Sequence, residues 1–123
     1  MEQNIIMSTL AKTWIIDLDG TLLKHNGYKI DGNDTILDGV KEYLDTIPQD
    51  DKIIILTSRK EEYREMTLRF LKNNNIRYDE IIFNIPYGER IVINDRKASG
   101  LDMAYSFNIN RNEFKIPNIV REK

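Results

Sequence analysis

Four short apolar runs punctuate the chain: Trp14-Ile15-Ile16, Ile53-Ile54-Ile55-Leu56, Ile81-Ile82-Phe83 and Ile91-Val92-Ile93. Each is continuous rather than alternating and mostly β-branched, which predicts strands covered on both faces, as in a parallel sheet between helices. Between the runs the apolar spacing changes to three and four. Ile36, Val40, Leu44 and Ile47 predict a helix from Asp34 onward, capped by Asn33 or Asp34 and ended by Pro48. Tyr63, Met66, Thr67, Phe70 and Leu71 predict a second helix, led by a Ser58–Glu61 capping box and stopped by Asn73-Asn74-Asn75. Leu101 and Tyr105 predict a short helix after Ala98, and Phe107 with Ile109 a last edge strand.

This alternation of strand and helix predicts an α/β fold, an open parallel sheet sandwiched by helices with right-handed crossovers. The segment 21–33 breaks the pattern. Its Asn26-Gly27 step is a two-residue turn signal flanked by Leu22-Leu23 and Tyr28-Lys29-Ile30, which predicts a small β-hairpin flap. Residues 1–12 read as a loose lead, and the tail KIPNIVREK as a surface extension.

Composition narrows the reading. A chain of 123 residues suits one domain, 1–123, with 41% hydrophobic and 31% charged residues in an ordinary globular balance. The net charge of −2 offers no electrostatic lure for nucleic acid or an anionic membrane surface. There are no cysteines, so thiolate metal sites and disulfides are excluded, and a cytoplasmic location is expected. No apolar run nears the roughly 18 residues of a membrane helix.

Chemistry enters at the ends of the apolar runs. The first ends in Asp17, the second in Thr57 and the fourth in Asn94-Asp95. In a parallel sheet these ends share one edge, and open α/β sheets bind ligands beyond it. Asp17, Asp19, Thr57, Asn94 and Asp95 are therefore expected to converge. Two carboxylates about 4 Å apart repel by roughly 4 kcal/mol at an effective dielectric of about 20, so a proton or a cation must relieve them. An all-oxygen set of this kind favours Mg²⁺. An ionised Asp can attack phosphorus, and a second Asp can protonate the leaving oxygen and then deprotonate a water. The plain alternative is a solvated turn after a strand.

The stretch WIIDLDGT, Trp14 to Thr21, resembles the hhhhDxDGT motif of the haloacid dehalogenase-like (HAD) superfamily of phosphotransferases, matching its last eight positions. IIILTSR resembles that superfamily's second motif and IVIND its fourth, in the right order, so the resemblance extends from Trp14 to about Ile109. It implies a Rossmann-like core and a Mg²⁺-dependent phosphatase acting through an aspartyl-phosphate. Asp17 would be the nucleophile, Asp19 the general acid/base, and Thr57 the ligand of the transferring phosphoryl group. Asp17, Asp19 (through its carbonyl) and Asp95 would hold the metal. Gly20, Ser58, Arg59 and Arg90 are expected against the substrate. The fourth motif departs from the pattern, since Asn94 stands where an acid is common. The third-motif cation is expected to be Lys97, with Arg90 second. His25, the sole histidine, reads as a solvated hairpin tip, and Tyr28 and Tyr87 as residues of the mouth or covers for apolar edges.

No gap is long enough for a cap domain, so the chain resembles a small capless member with an open site. Such members resemble those that act on sugar phosphates of surface-polysaccharide pathways, and that is the expected substrate class. A nucleic-acid or nucleotide phosphatase and a non-catalytic binding module of the same fold are the alternatives. Nucleic acid is disfavoured as a partner by the acidic balance, and a homo-oligomer that closes the site is an expected arrangement.

Overall fold

The computed structural model describes residues 4–122. Its centre is a three-stranded parallel sheet of β2 (Thr13–Asp17), β3 (Lys52–Leu56) and β4 (Glu80–Ile82), in the order β2-β3-β4. The register pairs Trp14 with Ile53, Ile16 with Ile55 and Ile55 with Ile81. A strand turns successive side chains to opposite faces, so these residues share one face. That face carries the core. Ile53 and Ile55 are fully buried with Leu18, Leu22, Leu23, Val40, Leu44 and Leu71, and Trp14, Ile16, Phe70 and Ile81 pack against them.

The opposite face differs from the expectation of a sheet covered on both sides. Ile15 and Ile82 are about half exposed. The fourth predicted strand is also absent. Ile91 and Ile93 are 82% and 91% exposed in an irregular segment. β-Branched residues supply propensity, but a strand needs a hydrogen-bonded neighbour and a surface to cover, and the segment has neither.

Residues 4–7 and 118–121, in contrast, form strands where the sequence predicts loose extensions. β1 (Asn4–Met7) pairs in parallel with β5 (Asn118–Arg121), pairing Ile5 with Ile119 and Ile6 with Val120. Asp51, which is buried, joins this pair to the central sheet. It accepts from the Lys12 backbone and the Trp14 indole, both at 3.0 Å, and lies 3.7 Å from Arg121.

Helices α1 (Gly27–Ile30), α2 (Val40–Thr46) and α3 (Arg64–Asn73) connect the strands. α2 starts later than predicted. Gly39 precedes it in a left-handed conformation, and Asp34 is engaged elsewhere instead of capping it. Leu71 and Thr67 of α3 are buried as the stripe predicts, while Met66 is exposed. The capping box does not form. A single 3-10 turn, Glu61–Tyr63, leads into α3, Glu61 pairs with Arg64, and Ser58 reaches the Pro86 carbonyl. Asn75, at positive φ, follows the helix end.

Residues 101–109 form neither the predicted helix nor the predicted edge strand; a turn from Lys97 to Leu101 stands before them. The hairpin flap is also revised. Asn26 adopts the left-handed conformation but leads into the single turn of α1. Leu22 to Lys24 pair in antiparallel fashion with Thr35 to Leu37, through Lys24 N to Thr35 O at 2.9 Å and Leu37 N to Leu22 O at 3.0 Å. The flap is thus closed by these pairs and not by a two-residue Asn-Gly turn. Among the described residues, no helix is long and apolar enough to cross a membrane.

Candidate functional site at the carboxyl rim of the sheet

The Asp-Leu-Asp step ends β2, and alternation there sets the geometry. Leu18 is fully buried in the core, which turns Asp17 and Asp19 away from it. The chain then folds back tightly. The Leu18 carbonyl accepts from the amides of Leu22 and Leu23 at 2.9 and 3.0 Å, and Gly20 donates to the Leu23 carbonyl at 2.7 Å. Gly20 has φ +89°, and a Cβ there would sit 3.3 Å from the Arg111 Cγ, so both conformation and space favour glycine.

Asp17 is opposite Leu56 in the sheet, so Thr57, the next residue, lies at the same rim. One Asp17 oxygen accepts from the Thr21 hydroxyl at 3.0 Å and the other from Arg90 Nη1 at 2.8 Å. The two side chains of that ion pair are 33% and 34% exposed, so Asp17 keeps access to solvent. Thr57 is buried, and its hydroxyl oxygen accepts from the Arg59 amide at 3.1 Å.

Asp19 has a different partner. Arg59 Nε and Nη2 donate to its two oxygens at 3.0 and 2.8 Å. The same guanidinium donates to Asp34 at 2.6 and 3.1 Å and to the Thr67 hydroxyl at 2.8 Å. The Tyr28 ring lies against it at 4.0 Å, and Tyr63 packs edge-on against Tyr28. Burial works against the Arg59 charge, but hydrogen bonds to Asp19 and Asp34, together with their charges, hold its pKa above the ordinary arginine value. Burial likewise raises the Tyr28 phenol.

The structure therefore gathers Asp17, Asp19, Gly20, Thr57, Arg59 and Arg90 at one rim. It separates the other expected residues. Asp95 is exposed in the irregular segment, where the Asn94 amide approaches its carboxylate at 3.4 Å. Among the described residues no group of three or more His, Cys, Asp or Glu side chains is arranged to hold a metal ion. The expected set of Asp17, Asp19 and Asp95 thus does not fit Mg²⁺ as it stands, because the strand that would carry Asp95 to the rim is not formed. Lys97, the first choice of cation, lies exposed in the Lys97–Leu101 turn, and Arg90 is the cation at Asp17.

Ser58 faces the Pro86 carbonyl, and Arg59 is turned inward at 3% exposure rather than toward a substrate. Tyr87 is largely exposed, with Lys60 Nζ 5.6 Å from its ring. His25 is no solvated tip. Its ring lies beside Gly20, and its Nδ1 is buried without a hydrogen-bond partner among the described residues.

Sequence reasoning missed Asp34, read as a helix cap, and Thr67, read as part of an apolar stripe. It also assigned no separate role to Thr21. A Thr among apolar helix positions was the one available hint, since a buried hydroxyl needs a partner.

No family model and no curated protein matches the chain. Among solved structures, a chain of the Pnkp1/Rnl/Hen1 complex is 33% identical over 69% of this chain, with a TM-score of 0.52. A chain of the Pnkp1/Rnl/Hen1 RNA repair complex is 32% identical over 73% of this chain, also with a TM-score of 0.52. This chain spans 32% and 30% of the length of those neighbours. It is thus similar in sequence and α/β fold to part of a chain from an RNA repair assembly.

Proposed function

We propose that the chain is a phosphomonoesterase that removes a terminal phosphate from a nucleic acid strand or a nucleotide. The observation that carries this reading is the pair Asp17 and Asp19 at the carboxyl end of a parallel strand, beside Thr57, with Asp17 open to solvent and charge-paired to Arg90. A carboxylate at such a rim can reach phosphorus, and Arg90 can follow the incoming phosphate as a planar, bidentate partner.

An Asp17 oxygen attacks phosphorus and the bond from phosphorus to the ester oxygen breaks; Asp19, which would enter this step carrying a proton on an oxygen lone pair that the Arg59 fork leaves open, gives that proton to the ester oxygen and is left as the carboxylate. Asp19 then takes a proton from water, whose oxygen attacks the aspartyl-phosphate, releasing phosphate and freeing Asp17. Thr57 offers its hydroxyl hydrogen to a phosphoryl oxygen. Mg²⁺ is proposed as the ion that would neutralise the phosphoryl oxygens, with Asp17 and the Asp19 carbonyl as its ligands at the rim; Asp95, exposed in the irregular segment, is not counted among them.

The choice of a nucleic-acid or nucleotide phosphate over a sugar phosphate rests on the RNA repair assembly to which the neighbours belong. The test is a panel of 3′- and 5′-phosphorylated oligonucleotides, mononucleotides and sugar phosphates, each assayed with Mg²⁺ and with a chelator. Release of phosphate from oligonucleotide or nucleotide ends by the wild type, abolished in Asp17→Asn, is the expected result. Turnover of sugar phosphates alone would overturn the substrate class, and full activity of Asp17→Asn would overturn the nucleophile.

A further inference from the structure

Arginine has five N–H donors in a rigid fork. In Arg59 Nε bonds Asp19, Nη2 bonds Asp19 and Asp34, and Nη1 bonds Asp34 and Thr67, which engages all five. One face of the guanidinium is covered by Tyr28. The side chains of Arg59 and Asp34 are 1% and 2% exposed, whereas that of Asp19 is 16% exposed. No donor remains for a phosphate, yet the carboxylate that Arg59 grips does reach the surface.

We propose that Arg59 is a positioning residue: it fixes the Asp19 carboxylate toward the substrate and is itself locked by Asp34, Thr67 and Tyr28. The inference rests on the phosphomonoesterase reading and deepens it. A carboxylate beyond a strand end, on a tight turn, can rotate about its own torsions. Two parallel bonds from a planar fork remove that freedom. Asp34 and Tyr28 belong to the flap and Thr67 to α3, so two separate segments hold one side chain that neither of them carries. Arg59 leaves Asp19 lone pairs for a proton or a water, because a carboxylate has about four acceptor sites and the fork takes two.

The experiment measures kcat and KM for p-nitrophenyl phosphate in the wild type, Arg59→Lys, Arg59→Ala, Asp34→Asn and Thr67→Val, with thermal melting as a check on folding. A lysine keeps the charge but not the fork. Misplacement of Asp19 by about 1 Å should lower kcat by about 10²-fold in Arg59→Lys, with KM within about threefold of the wild type. Asp34→Asn, which lies away from the phosphate, should also lower kcat and leave KM alone. Millimolar guanidinium should restore part of the kcat lost in Arg59→Ala, a recovery that a purely structural role would not give. If Arg59→Lys does not fold, Asp34→Asn and Thr67→Val carry the test.

A raised KM with kcat retained would make Arg59 a substrate ligand and overturn the proposal. Unchanged kinetics in both Arg59→Lys and Asp34→Asn would overturn it as well. A wild type inactive on every phosphomonoester would instead overturn the phosphomonoesterase reading and this inference with it, so the two failures are told apart by the wild type.

Discussion

Replacing Arg59 by methionine keeps the length of an apolar stem and removes the charge. Asp34 would then hold a carboxylate that is 2% exposed with its guanidinium partner gone. Breaking a buried ion pair by deleting one partner costs about 3–5 kcal/mol, because the remaining charge stays desolvated and unpaired. The Thr67 hydroxyl, fully buried, loses its donor in the same step. Total stability of a domain is about 5–15 kcal/mol, so Arg59→Met should remove a large share of it. For a domain between the small and middle size classes, about 3–5 °C is lost per kcal/mol, which gives a fall in Tm of about 9–25 °C. The control is Arg90→Met, whose pair with Asp17 is one-third exposed and worth about 0–1 kcal/mol. Urea unfolding of both variants, with Arg59→Met combined with Asp34→Asn to close a double-mutant cycle, measures the difference. The double variant should recover part of the loss, since it no longer buries an orphaned charge. Equal losses in Arg59→Met and Arg90→Met, or a loss below about 1 kcal/mol in Arg59→Met, would refute a desolvated Arg59 network.

Other outcomes follow from the same structure. Ile55→Ala, in the fully buried core, should cost about 2–5 kcal/mol, whereas Ile15→Ala on the half-exposed face should cost much less, both read by urea unfolding. Gly20→Ala forces an L-residue into φ +89° and sets a methyl 3.3 Å from the Arg111 Cγ, so it should destabilise by about 1–2 kcal/mol and lower the proposed phosphatase activity. Burial, partly offset by the Arg121 charge, raises the Tyr43 phenol. The folded state therefore keeps that proton longer than the unfolded chain does. The resulting stability is complete below about pH 10 and is lost as pH rises through the folded value. Tyr43→Phe should flatten that alkaline decline in a Tm-against-pH series.

How much was legible in the sequence depends on what each signal measures. Three of the four apolar runs became strands, with bounds within a residue or two, because Ile53 and Ile55 have both a partner strand and a core to enter. The fourth run has the same β-branched composition and remains exposed, so composition alone could not distinguish it. β1 and β5 were invisible because each is four residues long and stabilised by the other from the far end of the chain. Asp17, Asp19 and Thr57 were legible because a strand end fixes where a side chain goes. Asp34 was not, since its role is set by an arginine met only after two further elements. Arg59 was visible as a cation and misread in direction: sequence shows a charge, while only packing shows that its donors are spent inward.

The charge problem posed by Asp17 and Asp19 is met by dividing it between two arginines. One carboxylate meets Arg90, the other Arg59, and the two pairs differ in burial. Exposed pairs exchange partners at little cost, about 0–1 kcal/mol, and buried ones do not. On the proposed phosphomonoesterase reading, an arriving phosphate would draw Arg90 away from Asp17 and leave that oxygen free to attack, while Asp19 would keep its orientation throughout. The labile pair belongs to the residue proposed to react and the fixed pair to the residue proposed to hold its place. This division makes a directional claim: rising ionic strength should screen the Arg90–Asp17 pair more than the Arg59–Asp19 pair. Salt titrations of melting should therefore move Arg90→Met toward the wild type while leaving the gap between Arg59→Met and the wild type intact.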